Sequence, residues 1–319
     1  MEPSLSESFS LNNLVDLKIF ICEKLKSIPI LSGLSSLQRL EIRYCRELTR
    51  IGDGACAFPA SLSRLCIQSC SRLETIGDSI SILTCLEELD LDSCEDLRLI
   101  PSVNRLSSLK KLLICECNSV VSLPNGLSSC TALEELGMIW CPNLISIFEG
   151  LKDLHSMVRL HILNCENLSI PDESFSCLLC LEYLRIGGFS KELEGFPYLN
   201  SIHHLHASLQ VLGLYGWEKL TYLPPQIQHL TSLRELRIVD FNQVEALPEW
   251  LGSLSSLQSL EIDSCANLKY LPSAQAMQRL SKLQNLRIIE CRELEGRCEK
   301  ETGLEWFKIS HVPNIQILF

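Results

Sequence analysis

The chain of 319 residues carries 28 Lys and Arg against 39 Asp and Glu, which gives a formal net charge of -11 at pH 7. An acidic chain without a basic run has no general attraction for phosphate backbones or anionic lipids, so nucleic acid is a poor candidate partner. Hydrophobic residues make up 46% of the sequence. They form no unbroken run of about 18 residues, so no membrane span is expected.

The N-terminal segment MEPSLSESFSLNNL resembles no targeting sequence. It lacks the basic start, the apolar stretch and the small-residue cleavage site of a signal peptide. The first repeat begins at Leu14 with no polar capping segment before it. An uncapped repeat end exposes apolar core, so we expect the natural chain to continue upstream.

One frame, L-x-x-L-x-I-x-x-C-x-x-L-x-x-L-P, recurs along the chain and is clearest in residues 257–272, LQSLEIDSCANLKYLP. Successive copies are 23 to 28 residues apart, within the range of about 20 to 29 typical of leucine-rich repeats. The twelve copies begin at Leu14, Leu37, Leu62, Leu86, Leu109, Leu133, Met157, Leu181, Leu209, Leu233, Leu257 and Leu283.

The apolar spacing within a copy predicts a strand followed by a turn. Leu260 and Ile262 are two residues apart, so they share one face of a short strand. From Cys265 onward the spacing is three, which cannot continue a strand. One such coil cannot bury its own apolar edge, whereas stacked coils can. The sequence therefore predicts an α/β leucine-rich repeat solenoid, a horseshoe with a parallel sheet on its concave face and loops or short helical turns on its convex face.

The ninth position of the frame is cysteine in nine copies and aromatic in the other three. A position that accepts Cys, Phe or Trp requires buried apolar volume, which is how a free thiol behaves in a core. We therefore expect reduced thiols and a cytoplasmic protein. The ninth-position residues are Cys22, Cys45, Cys70, Cys94, Cys117, Cys141, Cys165, Phe189, Trp217, Phe241, Cys265 and Cys291.

The segments between strands are of two kinds. Residues 248–257, PEWLGSLSSL, predict a short helical turn with Trp250, Leu251 and Leu254 directed inward. Residues 52–62 and 194–209 are irregular, and loops of this kind tolerate variation without disturbing the stack.

The frame ends after Leu294. We expect residues 1–296 to form one repeat domain and residues 297–319 to form its C-terminal cap. The cap would cover the last coil through Trp306, Phe307, Ile309, Val312 and Ile315.

Residues 247–317 resemble the C-terminus of plant intracellular nucleotide-binding leucine-rich repeat immune receptors, most nearly those of the coiled-coil class. The Cys-x-x-Leu-x-x-Leu-Pro repeats carry the resemblance over most of the chain, and the closing RCEKETGLEWFKISHVPNI is its most specific part. The resemblance implies that the chain senses pathogen effectors or effector-modified host proteins and restrains a nucleotide-binding module. No G-x-x-x-x-G-K-[ST] motif occurs here, so neither nucleotide binding nor any other cofactor is expected of these residues.

No catalytic constellation occurs, so we expect no enzyme activity. The acidic run at Glu87, Glu88, Asp90 and Asp92 is better explained as a solvated strand surface than as acid–base machinery. Cys177 and Cys180, with the histidines of residues 203–206, come nearest to a metal site, but no second pair has suitable spacing. We expect both thiols to be buried and no metal to bind.

The third, fifth and seventh positions of each copy face outward from the predicted sheet. In the copies that follow the acidic run, the residue at the seventh position is mostly apolar. Strands lie about 4.8 Å apart, so six copies form an apolar stripe roughly 25 Å long, rimmed by charge and large enough for a protein partner. Cross-strand packing alone would also explain such residues. The predicted protein-binding residues are Lys111, Leu113, Cys115, Glu135, Ile139, Trp140, Arg159, His161, Leu163, Tyr183, Arg185, Tyr215, Arg237 and Val239.

Two functions from different classes fit these observations. The first is the protein-recognition region of a plant immune receptor, whose partners are a pathogen effector or host target and the nucleotide-binding module of a full-length receptor. The second is a free-standing scaffold or substrate adaptor. An adaptor requires a docking module of its own, and none is visible before Leu14.

Overall fold

The computed structural model describes residues 11–28, 31–52, 58–146, 151–169, 175–197 and 199–318. The chain folds as two compact units, the first built from residues 1–120 and 124–130 and the second from residues 121–123 and 131–319. The irregular segment predicted at residues 52–62 lies partly outside the described residues.

The first unit is built on five parallel strands in sequence order. They are β1 (Asp16–Phe20), β3 (Arg39–Arg43), β5 (Arg64–Gln68), β7 (Glu88–Asp92) and β8 (Lys111–Cys115). Three two-residue strands, β2 (Ser27–Ile28), β4 (Arg50–Ile51) and β6 (Thr75–Ile76), form a second small parallel sheet on the return side of the coils.

The second unit continues the pattern with eight parallel strands, again in sequence order. They are β9 (Glu135–Ile139), β10 (Arg159–Leu163), β11 (Tyr183–Gly187), β12 (Val211–Tyr215), β13 (Glu235–Val239), β14 (Ser259–Asp263), β15 (Asn285–Ile289) and β16 (Asn314–Leu318).

Every one of the twelve predicted copies contains a five-residue strand over its third to seventh positions, as the spacing predicted. The register pairs equivalent positions, so that Leu260 lies beside Leu236 and Leu286 in the neighbouring copies. Leu260 and Ile262 are fully buried. Because neighbouring inward side chains cover each other, each coil is stabilised mainly by the coils beside it.

A left-handed residue follows nearly every strand, at the eighth position of the copy. Among the described residues, ten non-glycine residues at this position have φ between 50° and 61°, Trp140 and Asn164 among them. This conformation is costly for side chains other than glycine, but here it turns the backbone N–H toward the next coil. The Trp140 N–H donates to the Leu163 carbonyl at 2.9 Å, and that of Asn164 to the Gly187 carbonyl at 3.0 Å.

The ninth-position side chains fill the core, as predicted from their composition. Cys22, on the first coil, is half-buried. The other eleven are at most 6% exposed: Cys45, Cys70, Cys94, Cys117, Cys141, Cys165, Phe189, Trp217, Phe241, Cys265 and Cys291.

The thiols also form hydrogen bonds that composition did not predict. The Sγ atom of Cys117 lies 3.7 Å from the carbonyl oxygen of Leu91, and that of Cys291 lies 3.7 Å from the carbonyl oxygen of Ile262. In both cases the acceptor is the sixth residue of the preceding copy. Burial raises the pKa of the Cys70 thiol to about 11, so this thiol stays neutral at physiological pH.

Short helices occupy several connecting segments. Glu249–Ser253 is a 3-10 helix, which confirms the helical turn predicted for this segment. Leu251 and Leu254 are buried as expected, but Trp250 is only half-buried. The long segment 194–209, predicted to be irregular, contains the 3-10 helix Asn200–Leu205. Further short helices among the described residues are Asp78–Ile82, Leu127–Ser129 and Pro225–His229, with the α-helix Ala274–Arg279 before β15.

The C-terminal segment contains the α-helices Arg292–Arg297 and Trp306–Ile309 and then β16, which pairs in parallel with β15. This thirteenth strand was not predicted, since the frame is unrecognisable there. Ile309 and Val312 are buried, but Phe307 is 63% exposed, so its expected role in covering the core is wrong. That residues 297–319 cap the repeats stays a prediction.

The buried carboxylate of Glu305 anchors this segment to the coil before it. The carboxylate accepts hydrogen bonds from the Leu271 N–H at 2.8 Å and from Lys308 Nζ at 2.6 Å. Lys308 Nζ also donates to the Leu271 carbonyl at 3.1 Å. A buried charge needs such a full set of partners, and the set fixes where the C-terminal helix sits.

The helices in the described part of the chain are short, and none has the length and apolar character needed to cross a lipid bilayer.

Replacing Ile262 with Asp tests the inward register. A carboxylate at this fully buried position has no partner, so we expect a loss of more than about 4 kcal/mol in the free energy of unfolding. Asn285→Asp is the matched control, because its Oδ1 atom already accepts a hydrogen bond from Asn314 on the outward side of β15. Chemical denaturation of both variants measures the difference. Equal stabilities would show that the strand register is wrong.

Candidate functional site

We call the outward side of the strands the open face; it consists of the first, third and fifth residue of each five-residue strand. Thirteen of the fourteen residues selected from the sequence lie on it, on strands β8 to β13, and Trp140 follows β9 directly. Lys111, Leu113 and Cys115 belong to the first unit, and the other eleven belong to the second.

The open face of the first unit is dominated by ion pairs between neighbouring strands. Lys18 Nζ lies 3.1 Å from a Glu41 carboxylate oxygen, and Arg64 Nε lies 3.0 Å from a Glu88 carboxylate oxygen. Arg39 contacts Asp16 in the same way. Because these charges are mutually compensated, this part of the face offers few unpaired groups to a ligand.

Asp90 is the exception to this charge balance. Burial, and then the negative charge of Asp92 on the same strand, raise the pKa of the Asp90 carboxyl. The nearby cations Lys111, Arg64 and Arg43 act in the opposite direction but do not outweigh them. Ionised Asp90 therefore destabilises the folded state.

The apolar stripe is only partly available in the second unit. Ile139, Tyr215 and Val239 are half-buried, and Trp140 is 56% exposed. Leu163 is only 5% exposed, so the expectation that it would be open to a partner is wrong. It lies in register between Ile139 and Gly187, where cross-strand packing accounts for its burial.

Arg185 and Tyr215 form a pair across the missing side chain of Gly213. Arg185 Nε donates to the Tyr215 hydroxyl at 3.0 Å, its Nη2 contacts the same oxygen, and the guanidinium carbon lies 5.2 Å from the ring centroid. A Cβ atom at Gly213 would meet Arg185 Cγ and Tyr215 Cε2 at 3.3 Å. The absence of a side chain at Gly213 therefore leaves the space that the two side chains of the pair occupy.

Other polar side chains on this face are also arranged across strands. The His161 and Tyr183 rings have centroids 5.3 Å apart, and His161 Nε2 lies 3.9 Å from a Glu135 carboxylate oxygen. These three residues were selected from the sequence individually, and the structure brings them together.

Two further open-face residues, Glu261 and Arg287, were not selected from the sequence. Glu261 is 8% exposed and receives guanidinium groups from both neighbouring strands, Arg237 at 2.8 Å and Arg287 at 2.8 Å. The alternation Arg, Glu, Arg at the fifth position of three successive copies could have revealed this bridge.

Potential metal ligands are not clustered among the described residues. Within them, no three His, Cys, Asp or Glu side chains are grouped so that they could hold a metal ion. Cys177 is half-exposed and Cys180 is exposed, so the prediction that both thiols are buried is wrong. Both lie in the segment leading to β11, where the apolar pattern gave no means of distinguishing inward from outward residues.

Solved structures with the same arrangement establish the fold class. An internalin, InlF, from Listeria monocytogenes superposes with a TM-score of 0.51 at 18% identity, covering 86% of this chain and 87% of the internalin. The leucine-rich repeat domain of the type III effector XCV3220 (XopL) gives a TM-score of 0.55 at 24% identity, covering 73% and 76%. The fold is that of a leucine-rich repeat protein.

Curated relatives of this leucine-rich repeat chain are plant disease resistance proteins. TMV resistance protein N of Nicotiana glutinosa is 28% identical over 85% of the chain, and RPP4 of Arabidopsis thaliana is 28% identical over 78%. RGA4 of Solanum bulbocastanum is 42% identical over 53 residues. Residues 232–291 match the R13L1/DRL21 leucine-rich repeat family. The chain spans 23% of the length of protein N and 23% of RPP4.

The raised pKa of Asp90 leads to a prediction of pH dependence. A raised pKa in the folded state favours folding below 3.8, the ordinary value for Asp, and this contribution is lost as the pH rises through the folded-state value. We therefore expect Asp90→Asn to raise the melting temperature at neutral pH but not below pH 3.8. Glu87→Gln, on an exposed residue paired with Lys110, is the control and should show no such gain. A lower melting temperature for Asp90→Asn at neutral pH would contradict this assignment.

Proposed function

We propose that this chain is the protein-recognition region of a plant intracellular immune receptor of the coiled-coil nucleotide-binding class, and that the open face of the second unit contacts the partner. The similarity to plant disease resistance proteins over most of the chain supports this function. A local identity of 42% to RGA4, a putative disease resistance protein, adds to this support, and the choice of class rests on the resemblance of residues 247–317 to receptors of that class. Leucine-rich repeat folds act typically as protein-interaction scaffolds, so we expect no enzyme activity.

The observation that carries the proposal is the position of Trp140. This side chain is 56% exposed, and it follows β9 at a φ of 55° that the hydrogen bond to Leu163 holds in place. Burying an indole at an interface releases a large apolar area, and tryptophan is enriched among the residues that dominate binding energy. Ile139, directly before Trp140, and Val239 add half-buried apolar surface on the open face.

The partner we propose is a pathogen effector or an effector-modified host protein. In a full-length receptor, the same region would also hold a nucleotide-binding module inactive. A cytoplasmic location accords with free thiols at the ninth position of the described copies. No cofactor is part of this function.

Capture of a partner by a variant of Trp140, the residue directly after strand β9 of the open face, tests the proposal. The chain is immobilised and exposed to extract from infected plant tissue, and the recovered proteins are quantified by mass spectrometry. We expect Trp140→Ala to lower the recovery of a specific partner about tenfold, since loss of an interface anchor costs more than about 1 kcal/mol. Leu163 is unsuitable for this test, because a change at a buried residue would alter folding.

Tyr222→Ala serves as the matched control. Tyr222 is 52% exposed, so the control removes an aromatic side chain of comparable exposure, and it lies outside the open face, after β12. We expect this variant to capture as much partner as the unaltered chain. If Trp140→Ala and Tyr222→Ala recover equal amounts, the open face around Trp140 is not the binding surface.

A further inference from the structure

The middle of the second unit's open face is free of carboxylates. Strands β10, β11 and β12 present nine residues there, two of which are Arg, one His and two Tyr, with none Asp or Glu. The nearest open-face carboxylates are Glu135 on β9 and Glu235 on β13. In a chain whose net charge is -11, this is a local region of positive charge.

Arg185 is the centre of this region and is held ready to bind. Its Nε and Nη2 atoms both contact the hydroxyl oxygen of Tyr215, and its guanidinium carbon lies 5.2 Å from the centroid of the Tyr215 ring. Within the described residues, Arg185 has no carboxylate partner, so its charge is not compensated. A guanidinium has five N–H donors, and those on Nη1 remain for a ligand. Because the side chain is already immobilised, binding costs little further conformational entropy.

The flanking guanidinium groups add to the positive charge. Arg237 and Arg287 share the single carboxylate of Glu261, each at 2.8 Å, so one of the two charges remains uncompensated. Arg159 is exposed on β10 and forms no ion pair with any residue that the structure describes. Together with Arg185, these groups favour a ligand that carries negative charge.

The surroundings favour a protein ligand over a nucleic acid. The overall negative charge repels a long polyanion, whereas a short acidic segment contacts only the local positive region. Ile139 and Val239 on the open face, with the exposed Trp140 directly after β9, provide apolar contacts for the side chains that accompany the acidic ones.

We propose that the open face of strands β10 to β13 binds an acidic protein segment, with a carboxylate of the partner on the Arg185 guanidinium and Tyr215 as the residue that positions it. The inference rests on the proposed function, because it names the chemistry of the partner at the same surface.

Fluorescence anisotropy with labelled probes tests the inference on the whole chain. The probes are a fluorescein-labelled peptide of alternating Glu and Tyr, the matched peptide of alternating Gln and Tyr, and single-stranded thymidine DNA. We expect the Glu peptide to bind more tightly than both others and to weaken as salt rises. Arg185→Gln should weaken its binding about tenfold, since one charged hydrogen-bond pair is lost, and Tyr215→Phe should weaken it less.

Arg279→Gln is the control, because it makes the same change in net charge on the helix Ala274–Arg279, away from the open face. Thermal unfolding followed by circular dichroism verifies that all variants remain folded. If the Gln peptide or the DNA binds as tightly as the Glu peptide, or if Arg185→Gln and Arg279→Gln behave alike, the inference is overturned.

Partner capture separates this inference from the proposed function. If Trp140→Ala lowers capture and Arg185→Gln does not, the surface binds a partner that is not acidic at this point, and only the present inference fails. If neither variant lowers capture, the proposed function fails with it.

Discussion

The turn after each strand is the constraint on which the rest of the structure depends. The chain must leave the sheet at the eighth position and place the ninth side chain in the core one residue later. A left-handed eighth residue achieves this in most described copies, and its N–H donates to the seventh-position carbonyl of the next coil, as that of Asp240 does to Asp263 at 3.1 Å. The buried ninth side chain then fixes the coil against its neighbours. The turn thus places each following strand beside the one before it, with equivalent positions paired.

A shared register is what turns single outward residues into a surface. Equivalent positions of successive copies lie side by side, so each column of the sequence becomes a row of neighbouring side chains. In the first unit, these rows pair opposite charges, as in Arg64 and Glu88. In the second unit, glycines interrupt the rows, and Arg185 extends over Gly213 to Tyr215. Different residue types at equivalent strand positions therefore give a surface of paired charges in the first unit and a surface with unpaired positive charge in the second.

The sequence was sufficient to predict features that depend on the periodic spacing of apolar residues. It was not sufficient to predict the exposure of single side chains, which depends on local geometry. Strand positions, inward leucines and ninth-position burial follow from apolar spacing alone, and all twelve predicted strands are present in the structure. The strand Asn314–Leu318 was not predicted, because the repeat frame is no longer recognisable in this part of the sequence. The exposure of Phe307 and Cys180 and the burial of Leu163 depend on which neighbours cover a side chain, which spacing does not reveal. The Arg185–Tyr215 pair needed the structure, because it joins residues of different columns on neighbouring strands.

Thiol accessibility tests the central account most directly, because it measures which cysteines point inward. The folded chain is treated with iodoacetamide near neutral pH, and the modified cysteines are identified by mass spectrometry. The exposed thiols of Cys85 and Cys180 should react, whereas buried ninth-position thiols such as Cys70, whose pKa is raised to about 11, should react only after denaturation. Modification of the ninth-position cysteines in the folded chain at the rate of Cys85 would contradict an architecture built on inward-pointing thiols.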